Sequence, residues 1–230
     1  GYFMGTADFD PGGGTVDLTS AGSFDIFISK LDNSGNFLWA KNLGGSSVDF
    51  GRDIAIDGLN NAYAIGYFQG TADFNPDSVA DNLLTSNGGS DIFIAKFDAS
   101  GAHQWAKSIG GGSNDLGLAI DADLAGNVYT TGYFFSTVDF DPGAGSHFLS
   151  SFGNNDVFVS KIDALGNHIW AKNMGGTGND YGKGIVTDLN ENVFTTGNFQ
   201  GTADFEPGTE ITNLTSAGSF LTAIETANIA

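Results

Sequence analysis

The ten residues Gly1-Tyr-Phe-Met-Gly-Thr-Ala-Asp-Phe-Asp10 decide the fold, because close copies of them return three times. The copies are Gly66-Tyr-Phe-Gln-Gly-Thr-Ala-Asp-Phe-Asn75, Gly132-Tyr-Phe-Phe-Ser-Thr-Val-Asp-Phe-Asp141 and Gly197-Asn-Phe-Gln-Gly-Thr-Ala-Asp-Phe-Glu206. Their start points are 65, 66 and 65 residues apart. Asp-Ile/Val-Phe-Ile/Val motifs from Asp25, Asp91 and Asp156, and Trp-Ala-Lys motifs from Trp39, Trp105 and Trp170, follow in register. This periodicity indicates tandem units that bury their apolar faces against one another.

Each unit contains four strand-like runs, which are rich in β-branched and aromatic residues and are bounded by turn residues. The runs are 53–57, 119–123 and 184–188 for the first strand, 62–68, 128–134 and 193–199 for the second, 26–31, 92–97 and 157–162 for the third, and 37–41, 103–107 and 168–172 for the fourth. Asp-rich tight turns are predicted between the first and second runs and between the third and fourth. No segment shows a sustained period of 3.6 residues, so we expect almost no helix.

The third run is apolar on both faces, since Ile26 and Ile28 point one way and Phe27 and Leu31 the other. A strand buried on both sides needs a sheet above it and another below it. Stacked propeller blades and β-solenoids both provide this arrangement, but a solenoid coil is much shorter than these units of 65 or 66 residues. We therefore predict an all-β fold, a β-propeller built from four-stranded antiparallel blades.

The motifs resemble the SBBP β-propeller repeat family of bacterial secreted and surface proteins. The resemblance is carried by Asp91-Ile-Phe-Ile-Ala-Lys-Phe-Asp98, Trp105-Ala-Lys107, Gly110-Gly111 and Asn127-Val-Tyr-Thr-Thr-Gly-Tyr-Phe134. The strand order also resembles NHL-type blades, with an added loop of about twenty residues between the second and third strands. The resemblance implies a propeller in an extracellular or cell-surface setting. It implies no defined catalytic residues, because the family is known as a scaffold.

The units divide the chain into an incomplete blade 1–48, complete blades 49–114 and 115–179, and an incomplete blade 180–230. The last unit matches the pattern of the third strand at Ser219 to Thr226 only in part, and no Trp-Ala-Lys follows. A propeller closes with roughly four to eight blades. We therefore expect a partial propeller that belongs to a longer chain or is completed by another copy.

The charge of the chain restricts its partners. The formal net charge is −19, with 27 acidic and 8 basic residues. This balance argues against nucleic acid and anionic membrane surfaces, which need a cationic footprint. No run of about 18 apolar residues is present, so we expect no membrane insertion. Cysteine is absent, which excludes disulfides and thiolate metal sites.

Acidic loops are the candidate metal site. Asp8 and Asp10, Asp73 and Asn75, Asp139 and Asp141, and Asp204 and Glu206 stand two residues apart, so their side chains share a side of an extended segment. Oxygen ligands clustered in a turn suit Ca²⁺. The alternative interpretation is a capped turn, in which Asp accepts backbone N–H groups. Apart from possible Ca²⁺, no cofactor is predicted.

Other polar residues have structural interpretations. Asp121, near Asp123 and Asn127, replaces the apolar Ala55 and Val186 of the other units, which suggests a local ion or ligand site or a shifted strand register. His103 and His168 are expected to pack beside tryptophans, and His147 to lie alone in a loop. The tryptophans are expected to pack between blades. The six lysines at two repeat positions are expected to pair with carboxylates inside each blade.

Two functions remain in view. The first is a non-catalytic extracellular scaffold or binding module for adhesion or matrix assembly, whose partner is a glycan, a protein or another copy of the chain. Its surface would come from the loops and from Tyr2, Tyr67 and Tyr133, which can stack on sugars. The alternative is a carbohydrate-active hydrolase or lyase that uses carboxylates. An enzyme needs unlike residues converging at one pocket, whereas this sequence repeats the same residues, so we predict no enzymatic activity.

Overall fold

The computed structural model describes residues 1–75, 81–206, 208, 210–218 and 221–227, the last of these as backbone only. Ser219 and Phe220 of the predicted last strand lie outside the described residues. Every regular element within these ranges is a β-strand, as the sequence predicts. The described part of the chain accordingly contains no helix that could cross a membrane.

Twenty strands make up the four units. Unit 1 contains β1 (Tyr2–Phe3), β2 (Thr6–Asp8), β3 (Asp17–Thr19), β4 (Asp25–Leu31) and β5 (Phe37–Gly45). Unit 2 contains β6 (Asp49–Ile56), β7 (Ala62–Asp73), β8 (Leu83–Phe97) and β9 (His103–Ile109). Unit 3 contains β10 (Leu116–Ala122), β11 (Val128–Phe134), β12 (Thr137–Asp139), β13 (Phe148–Ser150), β14 (Asp156–Ile162) and β15 (His168–Gly176). Unit 4 contains β16 (Tyr181–Thr187), β17 (Val193–Phe199), β18 (Thr202–Asp204), β19 (Asn213–Thr215) and β20 (Leu221–Ala227).

Units 2 and 3 each form the predicted four-stranded antiparallel blade. The order is β6-β7-β8-β9 in unit 2 and β10-β11-β14-β15 in unit 3. Units 1 and 4 each supply three strands of the same arrangement, β1-β4-β5 and β16-β17-β20. The all-β, blade-like fold predicted from the repeat is therefore confirmed.

The predicted loop between the second and third strands is wrong in one respect, because it folds into a β-hairpin. In units 1, 3 and 4 the hairpins are β2–β3, β12–β13 and β18–β19, and in unit 2 the ends of β7 and β8 form it. A cross-strand hydroxyl pair fixes each one, for example Thr71 and Thr85 at 2.9 Å. The Phe of the Asp-Phe motif anchors the hairpin, since Phe74 is fully buried against Phe68 and Phe93. These strands are only three residues long, too short for a period of two to be visible in the sequence.

The blades stack through their first strands, because β10 packs against both β6 and β16. We call these three the inner strands. Short contacts also cross the unit boundaries, where Gly44 pairs with Asp73 and Gly175 with Asp204. The glycines are needed here, since a side chain on the neighbouring Gly45 would lie 2.1 Å from the carbonyl oxygen of Thr71.

The third strands form the middle of the core, as predicted. Ile92, Phe93 and Ile94 have no exposed surface, and Phe158 is equally buried in unit 3. Leu31 of unit 1 is the exception and is 45% exposed. Burial on both faces of β8 and β14 follows from the blades that lie on either side of them.

Candidate functional site

The predicted acidic loops lie at the hairpin tips, and their first carboxylates cap turns. Oδ1 of Asp8 accepts the backbone N–H groups of Asp10 and Val16, at 3.0 and 2.9 Å. The equivalent oxygens of Asp73, Asp139 and Asp204 accept the same pair of backbone bonds. The pKa of Asp8 is held below its usual value by the bonds from Val16 and Asp10. The capping interpretation thus describes these four residues.

The second acidic positions bind the turn that follows them. Asp10, Asp141 and Glu206 accept the N–H groups of Gly12, Gly143 and Gly208 through one oxygen each. Asn75 donates its backbone N–H to Asp73. Within the described residues, the hairpin tips bring no group of three or more His, Asp or Glu side chains into metal-binding geometry. The calcium site stays a prediction.

A second set of carboxylates, which sequence reasoning missed, lies at the base of the hairpins. These are pairs of buried aspartates that recur at three boundaries between units, each joining the third strand of one unit to the start of the next: Asp25 with Asp49, Asp91 with Asp115, and Asp156 with Asp180. The surroundings of Gly44 show how close the carboxylates of Asp25 and Asp49 lie. A Cβ atom on Gly44 would be 2.7 Å from Cγ of Asp25 and 2.9 Å from Oδ2 of Asp49.

The two members of each pair have different partners. Asp115 accepts the N–H groups of Gly111 and Phe135, one on each oxygen. Asp91 accepts the N–H of Asn87 through Oδ2, and its buried Oδ1 has no hydrogen-bond partner among the described residues. The same oxygen is unpartnered in Asp25 and Asp156. The sequence signal was the invariant Asp of the third-strand motif, but its partner is 24 residues away and only folding joins them.

Burial raises the pKa of five of these carboxyl groups, those of Asp49, Asp91, Asp115, Asp156 and Asp180. It raises the pKa of Asp49 to about 6 and of Asp91 to about 6, and that of Asp156 to about 7. Backbone hydrogen bonds oppose the shift, and the charge of the second aspartate adds to it. Perturbed carboxyl groups often mark active sites. Here they recur with equivalent partners at three boundaries between units, which is typical of a structural element of the repeat.

A third set of aspartates caps the turns between adjacent strands, as predicted. Asp57 accepts the N–H groups of Leu59 and Asn61 and the side-chain amide of Asn61. Asp32, Asp98, Asp123, Asp163 and Asp188 have equivalent partners. The turns of units 2 and 3 meet at one point, where the Tyr63 hydroxyl donates to Asp57 or to the carbonyl of Gly126.

Asp121 lies in the regular register of its strand, and its carboxylate has hydrogen-bond partners. It pairs with Tyr129 in the register by which Ala55 pairs with Tyr63, so the shifted-register interpretation is wrong. Its Oδ2 instead accepts the backbone N–H and the hydroxyl of Thr187, at 2.6 and 2.7 Å. Asp121 therefore joins the inner strands of units 3 and 4. Asp123 and Asn127 belong to the adjacent turn.

The predicted pairing of lysines with carboxylates inside each blade is wrong for the third-strand lysines. Lys30 and Lys96 donate to the carbonyl oxygens of Ala99 and Ala164, in the turn of the next unit. Lys161 pairs with Glu191 of the next unit at 2.7 Å. Lys30 and Lys96 bond to a carbonyl oxygen and not to a carboxylate, because the tip of the neighbouring turn places that oxygen at the edge of the blade.

The tryptophans pack between blades, as predicted. Trp105 Nε1 donates to the same Ala164 carbonyl that Lys96 contacts. The glycine of each facing turn has φ near +80°, and a Cβ atom on Gly101 would lie 2.8 Å from the Trp39 ring. Lys96 and Trp105 thus hold the turn of the next blade, as Lys30 and Trp39 contact the equivalent turn of unit 2, and we call this contact the turn latch.

The histidine prediction needs one correction. His147 does not lie alone, because its ring contacts that of His168 with centroids 4.6 Å apart. His147 Nε2 also lies 3.0 Å from the carbonyl oxygen of Ala171. Burial and the neighbouring His147 lower the pKa of His168. His103 contacts Phe97 in unit 2, consistent with a packing role.

Unlike residues from different units meet beside the inner strands. Tyr67, Tyr133 and Tyr181 belong to units 2, 3 and 4, and the rings of Tyr133 and Tyr181 are 4.7 Å apart in an edge-to-face contact. Burial raises the pKa of Tyr133, and the nearby Tyr181 and Tyr67 raise it further. Tyr2 of unit 1 continues the row by contacting Phe50 at 4.6 Å.

Two cations complete this group. Arg52 on β6 lies over the Tyr67 ring at 5.3 Å, and Lys183 on β16 lies over the Tyr181 ring at 5.0 Å. Burial and the charge of Arg52 lower the pKa of Lys183. We call Arg52, Lys183, Tyr67, Tyr133 and Tyr181 the inner-rim cluster. The sequence held a signal for it, since Arg52 and Lys183 are the two basic residues outside the repeated lysine positions.

The comparisons with known proteins agree with the fold. The family model described as the SBBP β-propeller repeat matches residues 38–73 and 169–204, which confirms the resemblance found in the sequence. Each match runs from the fourth strand of one unit to the first hairpin strand of the next. The chain is also 28% identical over 179 residues to an uncharacterized WD repeat-containing protein of Acanthamoeba polyphaga mimivirus. That match covers 73% of this chain but only 13% of the viral protein.

Proposed function

Because the chain carries SBBP β-propeller repeats, we propose that it is a non-catalytic binding and scaffold module of an extracellular or cell-surface protein. Its partner would be a glycan, another protein or a further copy of the chain. The stacked blades support a binding or scaffold role in general terms, since they present loops and strand edges to a partner and such a role needs no reactive centre.

The observation that carries the proposal is the repetition of the perturbed carboxyl groups. An active site of a glycoside hydrolase needs two carboxylates in different environments, one acid and one base or nucleophile, at one place. The buried aspartate pairs instead recur at three boundaries between units, with the same backbone partners. Groups that join each blade to the next in the same way favour a scaffold over a hydrolase.

The test is a glycan array and a hydrolysis screen on the same purified chain, each with and without Ca²⁺. We expect binding without release of product. The comparison with and without Ca²⁺ also tests the acidic loops. If they bind Ca²⁺, glycan binding should differ between the two conditions, and the double variant Asp139→Asn with Asp141→Asn should lose that difference. Turnover of any glycan that is lost in Asp-to-Asn variants would overturn the non-catalytic assignment and favour the hydrolase.

A further inference from the structure

We infer that the boundary between units 1 and 2 binds a calcium ion through oxygen atoms of Asp25 and Asn42, beside the buried carboxylate of Asp49. This site differs from the acidic loops, because it lies at the base of the hairpin β2–β3 and not at its tip. It goes beyond the proposed function and does not depend on which partner the module binds.

Two oxygen atoms without partners are the first reason. Asp25 is 1% exposed, and its Oδ2 accepts the backbone N–H of Ala21, whereas its buried Oδ1 has no hydrogen-bond partner among the described residues. Asn42 donates its side-chain amide to the carbonyl oxygen of Thr19 at 2.9 Å, and its buried Oδ1 is likewise without a partner. Leaving a buried carboxylate oxygen unpaired is costly, and buried charges are normally paired or bound to metal ions. One cation would satisfy both oxygen atoms.

The pairing of β4 with β5 places these two side chains on one face of the sheet. Asn42 pairs with Phe27, and Asp25 is two residues from Phe27, so Asp25 and Asn42 are diagonal neighbours on that face. Gly44 has no side chain to separate them, and a Cβ atom there would lie 2.7 Å from Cγ of Asp25. The same Cβ atom would lie 2.9 Å from Oδ2 of Asp49, which adds a second buried negative charge.

A cleft of about 400 Å³ beside these residues gives an ion a path to them. Its lining includes Asp25, Asn42, Gly44 and Asp73. Asp73 belongs to unit 2 and uses Oδ1 to accept the backbone N–H groups of its own turn, so its other oxygen adds negative charge to the cleft. Lys41 also lines the cleft, but strand alternation directs its side chain to the face of β5 opposite that of Asn42.

The kind of donor atom favours calcium. Carboxylate and amide oxygens are ligands of hard cations, and the chain has no cysteine. Within the described residues no three His, Asp or Glu side chains are placed to hold a metal ion, so the amide of Asn42 and water have to complete the coordination. Ca²⁺ accepts such irregular sets of about six to eight oxygens, whereas Mg²⁺ demands near-ideal octahedral geometry. With few charged ligands the site should be weak, with a Kd on the order of 10⁻⁴ to 10⁻³ M.

The other two boundaries do not present this pair of oxygen atoms. In unit 2 the position of Asn42 is taken by Ser108. In unit 3 it is taken by Asn173, which donates to the carbonyl oxygen of Ser150 at 3.1 Å, but Asn173 is not among the described residues with a buried unpartnered oxygen. Asn173 is therefore the matched control for Asn42, because both asparagines hold a hairpin.

The experiment titrates the intact, EDTA-treated chain with CaCl₂ or MgCl₂ by calorimetry in about 0.15 M NaCl, which screens unspecific attraction. We expect Ca²⁺ to bind and to raise the melting temperature, and Asp25→Asn and Asn42→Ser to bind it at least about tenfold more weakly. Asn173→Ser loses the same kind of hairpin bond but should keep the affinity of the parent for Ca²⁺. Asn42 is only half-buried, so Asn42→Ser keeps the test decisive if Asp25→Asn impairs folding.

Four outcomes would overturn the inference. No response of the parent to Ca²⁺ would mean that a proton and not a metal ion satisfies Asp25. An equal response to Mg²⁺ would show unspecific attraction by the net charge. Equal losses in Asn42→Ser and Asn173→Ser would show that docking of the hairpins, and not ligation, controls the response. Unchanged affinity in Asp25→Asn and Asn42→Ser would place the ion elsewhere. In each case glycan or protein binding by the module would be unaffected, so the proposed function is tested separately.

Discussion

Asp156 and Asp163 stand at the two ends of the same strand, β14, and have opposite chemistry. Asp156 is fully buried beside Asp180, and burial raises its pKa to about 7. Asp163 caps the following turn by accepting the N–H groups of Leu165 and Asn167, and hydrogen bonds hold its pKa below the usual value. The same contrast separates Asp91 from Asp98 in unit 2.

The difference shows that burial, opposed by the bonds made to the ionised form, decides the chemistry of each aspartate. At the turn, three donors and access to water stabilise the charge. At the hairpin base, Asp156 has one backbone donor, an unpartnered oxygen and a second carboxyl group nearby. The turn end of each blade therefore favours ionised carboxylates. The buried pairs at the base of the hairpins favour the protonated form.

Removing the carboxyl group of Asp180 should have the largest effect. Asp180 accepts the N–H groups of Gly176 and Gln200 at 2.8 and 3.0 Å, and Asp180→Ala would leave both donors buried without a partner. We expect the free energy of unfolding in urea to fall by about 3 kcal/mol. Asp163→Ala serves as the comparison, and an equal loss in both variants would contradict the distinction between the two ends.

The pH dependence of stability should reverse between the two ends. The raised pKa values of Asp49, Asp91 and Asp156 mean that the folded chain binds more protons than the unfolded chain between about pH 4 and 7. The free energy of unfolding should therefore fall as the pH rises from 5 to 7.5, because all three groups release their protons in the folded chain over this range. Below pH 4 it should fall again, because the turn aspartates then lose their ionised form.

Urea titrations at a series of pH values measure this profile, and Asp156→Asn is the informative variant. Asparagine keeps the acceptor for Phe152 and removes the charge facing Asp180, so the decline above pH 5 should become shallower. A parent chain whose stability increases steadily from pH 5 to 7.5 would refute the assignment of raised pKa values to the hairpin end.

A smaller loss is expected at the turn. In Asp163→Ala the N–H groups of Leu165 and Asn167 lose their acceptor, but both lie where water can replace it. We expect a decrease of about 1 kcal/mol in the free energy of unfolding. Asp98→Ala in unit 2 should give a similar decrease, since Asp98 has equivalent partners. If these variants lost as much free energy of unfolding as Asp180→Ala, the hydrogen bonds of the turns would also have to be buried from water.

The smallest expected effect tests the turn latch, which lies at the turn end. Lys96→Met removes the bond to the Ala164 carbonyl and the contact of the ammonium with the Tyr63 ring at 5.0 Å. The carbonyl keeps its bond from Trp105, so we expect a loss of only about 0.5 kcal/mol. Thermal unfolding with Lys172→Met as control measures it, and no difference between the two variants would remove Lys96 from the latch.

The strand bounds show how much of the fold the sequence could predict. The second strands β11 and β17 have the predicted bounds, because Asn127 and Asn192 precede these runs of β-formers and the turn residues Ser136 and Gly201 follow them closely. The inner strands begin earlier than predicted, at Asp49, Leu116 and Tyr181, since their first residues include glycines and a buried aspartate that lack strand propensity. Neighbouring strands and the next blade stabilise these residues, and such contacts are invisible to a local pattern.

The sequence by itself determined the unit of repetition, the four strands of each unit, the Asp-rich turns and the position of the tryptophans between blades, because each depends on spacing or on local turn chemistry. Tertiary structure decided which distant groups meet. It joined Asp25 to Asp49 and turned the lysines of the third strands toward carbonyl groups of the next blade. The physical reason is that stacking fixes the curvature between blades, and only that curvature sets the distances between residues of different units.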